Sequence, residues 1–492
     1  MRTLSLTTLL LLPALAAAQQ QQVPTTLSLA DALVLARENS PTFRQAQNDR
    51  TPAQWAARGA WTSLLVPNAT VSGSLGYTGP GEQRFLTSSF SQGTATQSSS
   101  YSFSLDWMFS GATLSAPGAQ QSQLAAAYAD IESARRGLEL EVATQYLAVI
   151  QAVDNERVLA RQVDNSREFL RLAQARQQVG QTTMIDVRRA EVALGNAQVL
   201  HLRAQSSIVS EKLRLFERIG VEAPADVRGL QLSDSFQVIE PRWELAELLR
   251  LAEAENPSLR ALRAREKAAN WGVKAEGSSF LPTVALSASW GGFTQKFTDI
   301  QPVIDGAQFQ MGAQYASCQT NDSVRTGAGL PALGCTNYVW NPATDEAAIR
   351  SANSDYPFNF TSSPFQARLS VTLPLFTNFS RTQRYSQAKS VEDDLTEAVR
   401  ARALFIVTGV SEGFLSLQTA YEAVQIQTSN RVASEESLRL ATERYRVGSG
   451  TFFELLDAQL ADLRSEFDHV SSIYDYHRAL ALLEAAVGRP LR

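Results

Sequence analysis

Residues 166–220 recur as residues 434–488 at a constant offset of 268, with no gap over 55 positions and 15 identities. "SREFLRLAQARQQVG" lies over "SEESLRLATERYRVG", and Gly180, His201 and Gly220 fall on Gly448, His469 and Gly488. Earlier segments repeat too. "LADALVLARENSPTFR" (29–44) lies over "LAELLRLAEAENPSLR" (245–260), Trp55 falls on Trp271, and "LLVP" matches "SFLP" with one residue slipped. A repeat of this kind constrains the fold before any other feature does. The chain is two copies of one unit, 19–220 and 243–492, joined by a linker at 221–242.

Each copy opens with a short helical pattern that stops at Ser40-Pro41 or Asn256-Pro257. Ser and Asn cap helices and Pro suits the first helical position, so a second helix begins there. It runs to about residue 64 or 279.

The period then changes. In 68–77, Ala69, Val71, Leu75 and Tyr77 alternate with Asn68, Thr70, Ser72 and Ser74. In 101–109, Tyr101, Phe103, Leu105, Trp107 and Phe109 alternate with Ser102, Ser104 and Asp106. The second copy does the same with Val284, Leu286, Ala288 and Trp290, and with Phe365, Ala367, Leu369 and Val371 opposite Gln366, Arg368, Ser370 and Thr372. These patterns predict four strands, about 68–78, 100–109, 283–292 and 365–375, each with one apolar and one small polar face. Their length suits a tilted crossing of a bilayer. Aromatic residues near the strand ends suit an interfacial girdle, and the polar face suits a water-filled lumen. The alternative is a pair of hairpins on a soluble core. Four strands cannot close a barrel alone, so membrane strands require several chains.

Helical hairpins follow each strand pair, at about 113–219 and 378–488. A run such as 113–178 would rise on the order of 100 Å. In the last helix, Leu456, Leu460, Leu463, Phe467, Val470 and Tyr474 recur at spacings of three and four, which predicts a coiled-coil seam. Gly180 and Gly448, with Gly450 beside it, reverse the two hairpins.

Arg2, an apolar run from Leu9 to Leu15 and Ala16-Ala17-Ala18 have the layout of a secretory signal peptide, 1–18. Cleavage after Ala18 would take the net charge from −5 to −6, since Arg2 is lost. No cysteine follows to carry a lipid. No stretch of about 18 consecutive apolar residues follows either, which argues against a helical inner-membrane protein. The acidic balance, without a basic stripe, argues against nucleic-acid binding.

The two cysteines, Cys318 and Cys335, share one long polar segment, 294–364. In an exported chain the pair reads as a disulfide; the alternative, a metal site, lacks a nearby histidine. The segment is expected to be a surface insertion, outside the cell if the strands form a barrel. His469 and His477 lie eight apart and do not make an i, i+4 metal pair. No catalytic motif stands out, and no enzyme activity, metal or cofactor is expected.

Strand pairs and helical hairpins, duplicated in an exported chain, resemble the TolC-like outer membrane efflux proteins. The carriers are "YRVGSGTFFELLDAQL" (445–460), "QVGQTTMIDVRRAEVAL" (178–194), the "NSP" and "ENP" starts and "LPLF" (373–376). The resemblance implies an α+β membrane fold. In it a homotrimer shares a twelve-stranded outer-membrane barrel, continued by a periplasmic helical barrel. It implies an exit duct for a tripartite efflux or type I secretion system, whose partners are a periplasmic adaptor, an inner-membrane pump and outer-membrane lipid. Alternatives are a soluble or surface coiled-coil scaffold and a passive porin.

The family pattern also places residues at the tips. Tyr445 and Asp186 match positions that hold the tip closed. Glu454 and Asp457 match acids that ring the entrance, with Glu in place of Asp at the first. Gly180, Gly448 and Gly450 mark the turns that dock the adaptor. One departure stands out: the family prototype carries an arginine where this chain has Gly450. Arg446 and Arg188 are candidates to replace it. Independently of the family, a symmetric ring of carboxylates favours cations, while acids at a helix start also suit the helix dipole.

Overall fold

The structure is a computed structural model that describes residues 26–83 and 91–491. The expected signal peptide, 1–18, lies outside them. The first repeat holds β1 (Thr26–Leu27), α1 (Leu29–Asn39), α2 (Pro41–Asn48), α3 (Arg50–Leu65), β2 (Asn68–Thr78), β3 (Gly81–Gln83), β4 (Ser91–Gly93), β5 (Thr96–Phe109), α4 (Gly111–Gln178) and α5 (Met184–Ile219). β6 (Gln231–Leu232) lies in the linker. The second repeat holds α6 (Leu245–Glu255), α7 (Pro257–Gly277), β7 (Thr283–Phe297), α8 (Gln301–Gly327), α9 (Ala347–Ala352), β8 (Thr361–Thr372), α10 (Ser380–Arg446) and α11 (Phe452–Val487).

Two compact units cut across the repeats. Of the described residues, one unit gathers those up to Gln54, Ser122–Lys267 and those from Asp393 onward; the other gathers those of 55–121 and Ala268–Glu392. The reason is pairing: the strands of both repeats join one sheet, so each repeat divides between the units.

That sheet has the order β2-β5-β7-β8, antiparallel throughout. On its polar face hydroxyls meet across β2 and β5, with Thr70–Ser104 at 2.6 Å, Ser72–Ser102 at 2.7 Å and Ser74–Ser100 at 2.7 Å. The opposite face leaves Val71, Leu75, Tyr77, Leu369 and Val371 each more than 60% exposed. The outer edges of β2 and β8 pair with no strand among the described residues. β7 reaches Phe297, further than its side-chain alternation predicts, because Thr294 and Lys296 still pair with Ser99 and Gln97. The two glycines that break the pattern, Gly291 and Gly292, stay in the ladder. A Cβ on Gly291 would lie 2.3 Å from the Tyr101 carbonyl, so only glycine lets the strands approach there.

The segment expected as a loop, 294–364, is more ordered than that. It begins inside β7, ends inside β8 and holds the 27-residue helix α8. Ile304 and Cys318 are buried on α8, Met311 and Tyr315 half-buried, and the spacings of seven, four and three put them on one face. Polar residues between these positions, and three glycines elsewhere around the helix, weaken the pattern in the sequence, which is why it reads as loop. Cys318 is bonded to Cys335, with the Cα atoms 5.8 Å apart. Asp322 accepts from the backbone of Leu333 at 2.6 Å and Gly334 at 3.2 Å, folding the returning chain onto the helix.

In the helical unit each repeat builds its own core. The first gathers Leu27, Ala36, Phe43, Val142, Tyr146, Leu215, Phe216 and Ile219. The second gathers Leu248, Leu259, Val410, Leu417, Tyr476, Leu483 and Val487. Both close the same way. Gly220 (φ 81°) and Gly488 (φ 92°) end their helices in the left-handed region. A Cβ on Gly220 would lie 2.7 Å from the Asn39 carbonyl, and one on Gly488 2.9 Å from Pro257 Cδ. The repeated glycines therefore sit directly on the repeated Ser-Pro and Asn-Pro turns.

The linker is tied back to the first core. β1 and β6 pair in parallel. Buried Lys212 donates to the carbonyls of Leu230 at 2.6 Å and Arg228 at 3.1 Å. Burial pulls its ammonium below the usual lysine range, partly offset by Asp226. One 18-residue window of α10 reaches a mean hydropathy of 1.3, as a membrane helix would. Its helix nonetheless buries Ile406, Val410 and Leu417 in the second core.

The predicted seam on α11 holds in its second half, where Val470 and Tyr474 are buried and Leu463 and Phe467 pack against them, and is displaced near the start of the helix. The buried row near its start is Phe452, Leu455 and Gln459, while Leu460 is 55% exposed. Between these two stretches polar contacts join the packing: Gln459 donates to Ser166 at 3.0 Å, and Glu466 pairs with Arg161 at 3.0 Å and Arg431 at 3.5 Å. Hydrophobic periodicity cannot register such a face.

Candidate functional site

The two hairpin turns are built alike. At the first, Gly180 has φ 74° and donates to Gln177 O at 3.0 Å, and Gln181 N reaches Arg176 O at 2.8 Å. At the second, Gly448 has φ 83° and donates to Tyr445 O at 3.2 Å, and Ser449 N and Gly450 N reach Arg444 O at 2.9 and 3.0 Å. A side chain in this left-handed region costs roughly 1–2 kcal/mol, which explains glycine at both. Gly450 answers a different need: its Cβ would lie 3.1 Å from Arg444 Cβ and 3.2 Å from Tyr445 N. An arginine there must press on the turn.

The helices that leave the turns carry the expected acids. Asp186 Oδ2 accepts from the hydroxyls of Thr182 at 2.7 Å and Thr183 at 3.1 Å, and it lies three residues into the start of α5. Glu454 donates its backbone N–H to Thr451 Oγ1 at 3.2 Å, while its carboxylate lies 3.6 Å from Arg444. Asp457 is exposed. Asp186 and Tyr445 match the family's closing positions, yet they are not bonded to each other within the chain. Arg446 pairs with Glu443 at 3.0 Å and Arg188 with Glu191 at 2.8 Å, so neither candidate replacement pairs with Asp186, which lies 3.9 Å from Arg189 instead.

A different arginine, Arg176, holds Tyr445. Its guanidinium carbon sits 4.4 Å from the centre of the Tyr445 ring. It donates to the Tyr445 carbonyl and lies 3.4 Å from the Gln181 carbonyl. Arg176 is 9% exposed and Tyr445 2%. The ring packs with Phe169, Ala173, Val187, Ala190, Phe452 and Leu455, which draws all four long helices together at their turns. The Tyr445 hydroxyl is buried with no hydrogen-bond partner among the described residues. A cation at a helix C-terminus is favoured by the helix dipole. A desolvated cation–π stack adds up to about 2 kcal/mol.

The repeat itself points to Arg176. It aligns with Arg444, and each arginine lies four residues before its turn glycine. Each lies 3.4 Å from the carbonyl five residues on, Gln181 or Ser449. Sequence reasoning followed the family's arginine position instead and passed this one over.

Beside the tip an apolar groove of about 730 Å³ runs between α5 and α11, lined by Met184, Ile185, Val192, Leu200, Phe453 and Leu460.

Burial pushes the Asp186 carboxyl up, but Thr182, Thr183 and Arg189 outweigh that and hold it below the usual carboxylate range. A lowered folded value gives stabilisation that is present above the ordinary carboxyl range and lost as pH falls through the folded value. Asp186→Ala is therefore expected to weaken the 182–186 turn by about 1 kcal/mol at neutral pH. The gap to wild type should begin to narrow as pH falls below about 4 and close only below the lowered folded value. Hydrogen exchange of these amides in both proteins at each pH checks this.

The same chain thus carries a sheet with one apolar, exposed face and one hydroxyl-rich face together with duplicated helical hairpins. The family described as outer membrane efflux protein matches residues 32–221 and 344–489, and the chain belongs to that family. Its location is the outer membrane. The chain is 21% identical over 337 residues to the toluene efflux pump outer membrane protein TtgC of Pseudomonas putida, an alignment covering 68% of this chain and 57% of that protein. It thus spans under two thirds of the length of the curated relatives it matches. The fold is that of the outer-membrane channel OprN, with a TM-score of 0.71, 18% identity and coverage of 95% of this chain and 90% of that one. It is likewise that of VceC from Vibrio cholerae, with a TM-score of 0.69, 18% identity and coverage of 94% and 97%.

Proposed function

We propose that three copies of this chain form an exit duct in the outer membrane. Cargo reaches it from an inner-membrane pump through a periplasmic adaptor. The observation that carries this is the four-stranded sheet, apolar and exposed on one face and, among the described residues, unpaired at both edges. In lipid every backbone group must be paired, so the sheet needs neighbours to close a barrel. Three copies supply twelve strands, wider than the eight that leave room only for filling side chains or one small ligand. The helical hairpins supply the periplasmic tube.

The tips form the gate. Arg176 on Tyr445 takes the place of the arginine absent at Gly450 and holds the two hairpins of one chain together. Asp457, with Asp186 and Glu454, gives the opening its carboxylates. The turns at Gly180, Gly448 and Gly450 and the apolar groove beside them dock the helical hairpin of the adaptor. The relatives' names, a toluene efflux pump protein among them, support export as the task.

Conductance of the detergent-extracted protein in a planar bilayer tests this. A small, cation-preferring conductance that loses its preference in Asp457→Asn is expected. Failure to insert would favour a soluble scaffold, and a large conductance indifferent to the mutation would remove the gate.

A further inference from the structure

The four strands of the main sheet carry three charged residues among them, Asp106, Lys296 and Arg368. Lys296 pairs with Gln97 at the far end of the ladder, on the face that carries Tyr101 and Phe103. The other two lie on the hydroxyl-rich face. The register sets them on one level: Asn68 opposite Asp106, Asp106 opposite Ser287, Ser287 opposite Arg368. That level is near the end where β5 leads into α4 and β8 leads toward α10. Both side chains are exposed, and neither has a hydrogen-bond or ion-pair partner among the described residues. Two strand spacings separate them, about 10 Å.

We infer that Asp106 and Arg368 form a charge-alternating ring in the barrel lumen, and that this balanced ring determines how the barrel treats the sign of a passing solute. The inference rests on the three-chain barrel proposed above. Closure by three-fold symmetry repeats the series Asn68, Asp106, Ser287, Arg368 three times around the lumen, the tilt of the strands stepping each series along the axis. Every other position on this face is neutral, from the Thr70, Ser72 and Ser74 row to Gln366. Opposite charges about 10 Å apart cancel near the axis of a wide pore, so the intact ring passes both signs. Removing one member leaves three like charges with nothing to cancel them. Their reach at 0.1 M salt is about 10 Å, comparable to the distance from wall to axis, and only about 3 Å at 1 M.

The test is the reversal potential in a KCl gradient centred near 0.1 M. Arg368→Gln is expected to raise the potassium-to-chloride permeability ratio about twofold, and Asp106→Asn to lower it about twofold. The double variant should return to the wild-type ratio, and all differences should vanish near 1 M. Single variants that match wild type at low salt, or that shift in the same direction, would overturn the ring. Absence of any channel from the wild-type protein would instead overturn the barrel.

Discussion

Arg176→Ala is expected to loosen the helical tip and raise single-channel conductance severalfold. The variant removes a buried cation–π stack and a charged hydrogen bond to the Tyr445 carbonyl. Such contacts are worth roughly 2 and 1.5–3 kcal/mol and do not add fully, so a loss of about 3 kcal/mol is expected. At 1.4 kcal/mol per factor of ten, the closed-to-open ratio should fall about a hundredfold. Arg176→Lys should recover only part of this, since lysine keeps the charge but lacks the planar fork. Tyr445→Phe discriminates between two locks. The Tyr445 hydroxyl has no partner among the described residues, so its removal should leave conductance near wild type. If Tyr445→Phe opened the channel as far as Arg176→Ala does, the hydroxyl would be the lock, and the stacked guanidinium would not.

The second large effect belongs to the sheet. Leu369 is 68% exposed on the apolar face of β8, and Gln366 faces the opposite side. Arginine on the lipid side of a barrel strand costs about 2–4 kcal/mol near the midplane, while lumen positions tolerate it. In an assembly of three chains the cost recurs in each. Leu369→Arg is therefore expected to abolish the detergent-stable oligomer, and Gln366→Arg to preserve it. Gel filtration of the two extracted variants checks this. The reverse pattern would mean that the faces have been assigned the wrong way round.

The sequence revealed its own duplication, the two faces of each strand and the glycines of both tips, because each rests on a pattern that survives without tertiary context. Alternation marks a half-buried strand, and glycine marks a turn that needs positive φ. Other features leave no such trace. The far part of β7 is carried by backbone pairing through Gly291 and Gly292, which side-chain periodicity cannot register. The core face of α8 is obscured by the polar residues and three glycines spread around the rest of the helix. The middle of α11 packs through Gln459, Asp462 and Glu466, so its apolar row pointed to the groove side instead. Arg176 was hidden for another reason: its role depends on a residue 269 positions away, Tyr445. The alignment of Arg176 with Arg444 was the available clue. The two compact units were equally hidden, since nothing local says that strands from different repeats pair with each other.

The measurement that tests a shared barrel most directly is cross-linking between its free edges. Cysteines placed at Ser72 on β2 and at neighbouring positions along β8, from Gln366 to Thr372, would be oxidised in the membrane and run on a denaturing gel. A barrel of three chains predicts that at least one pair yields covalent dimers and trimers and nothing larger. Monomers from every pair, or a ladder that continues past three, would contradict it.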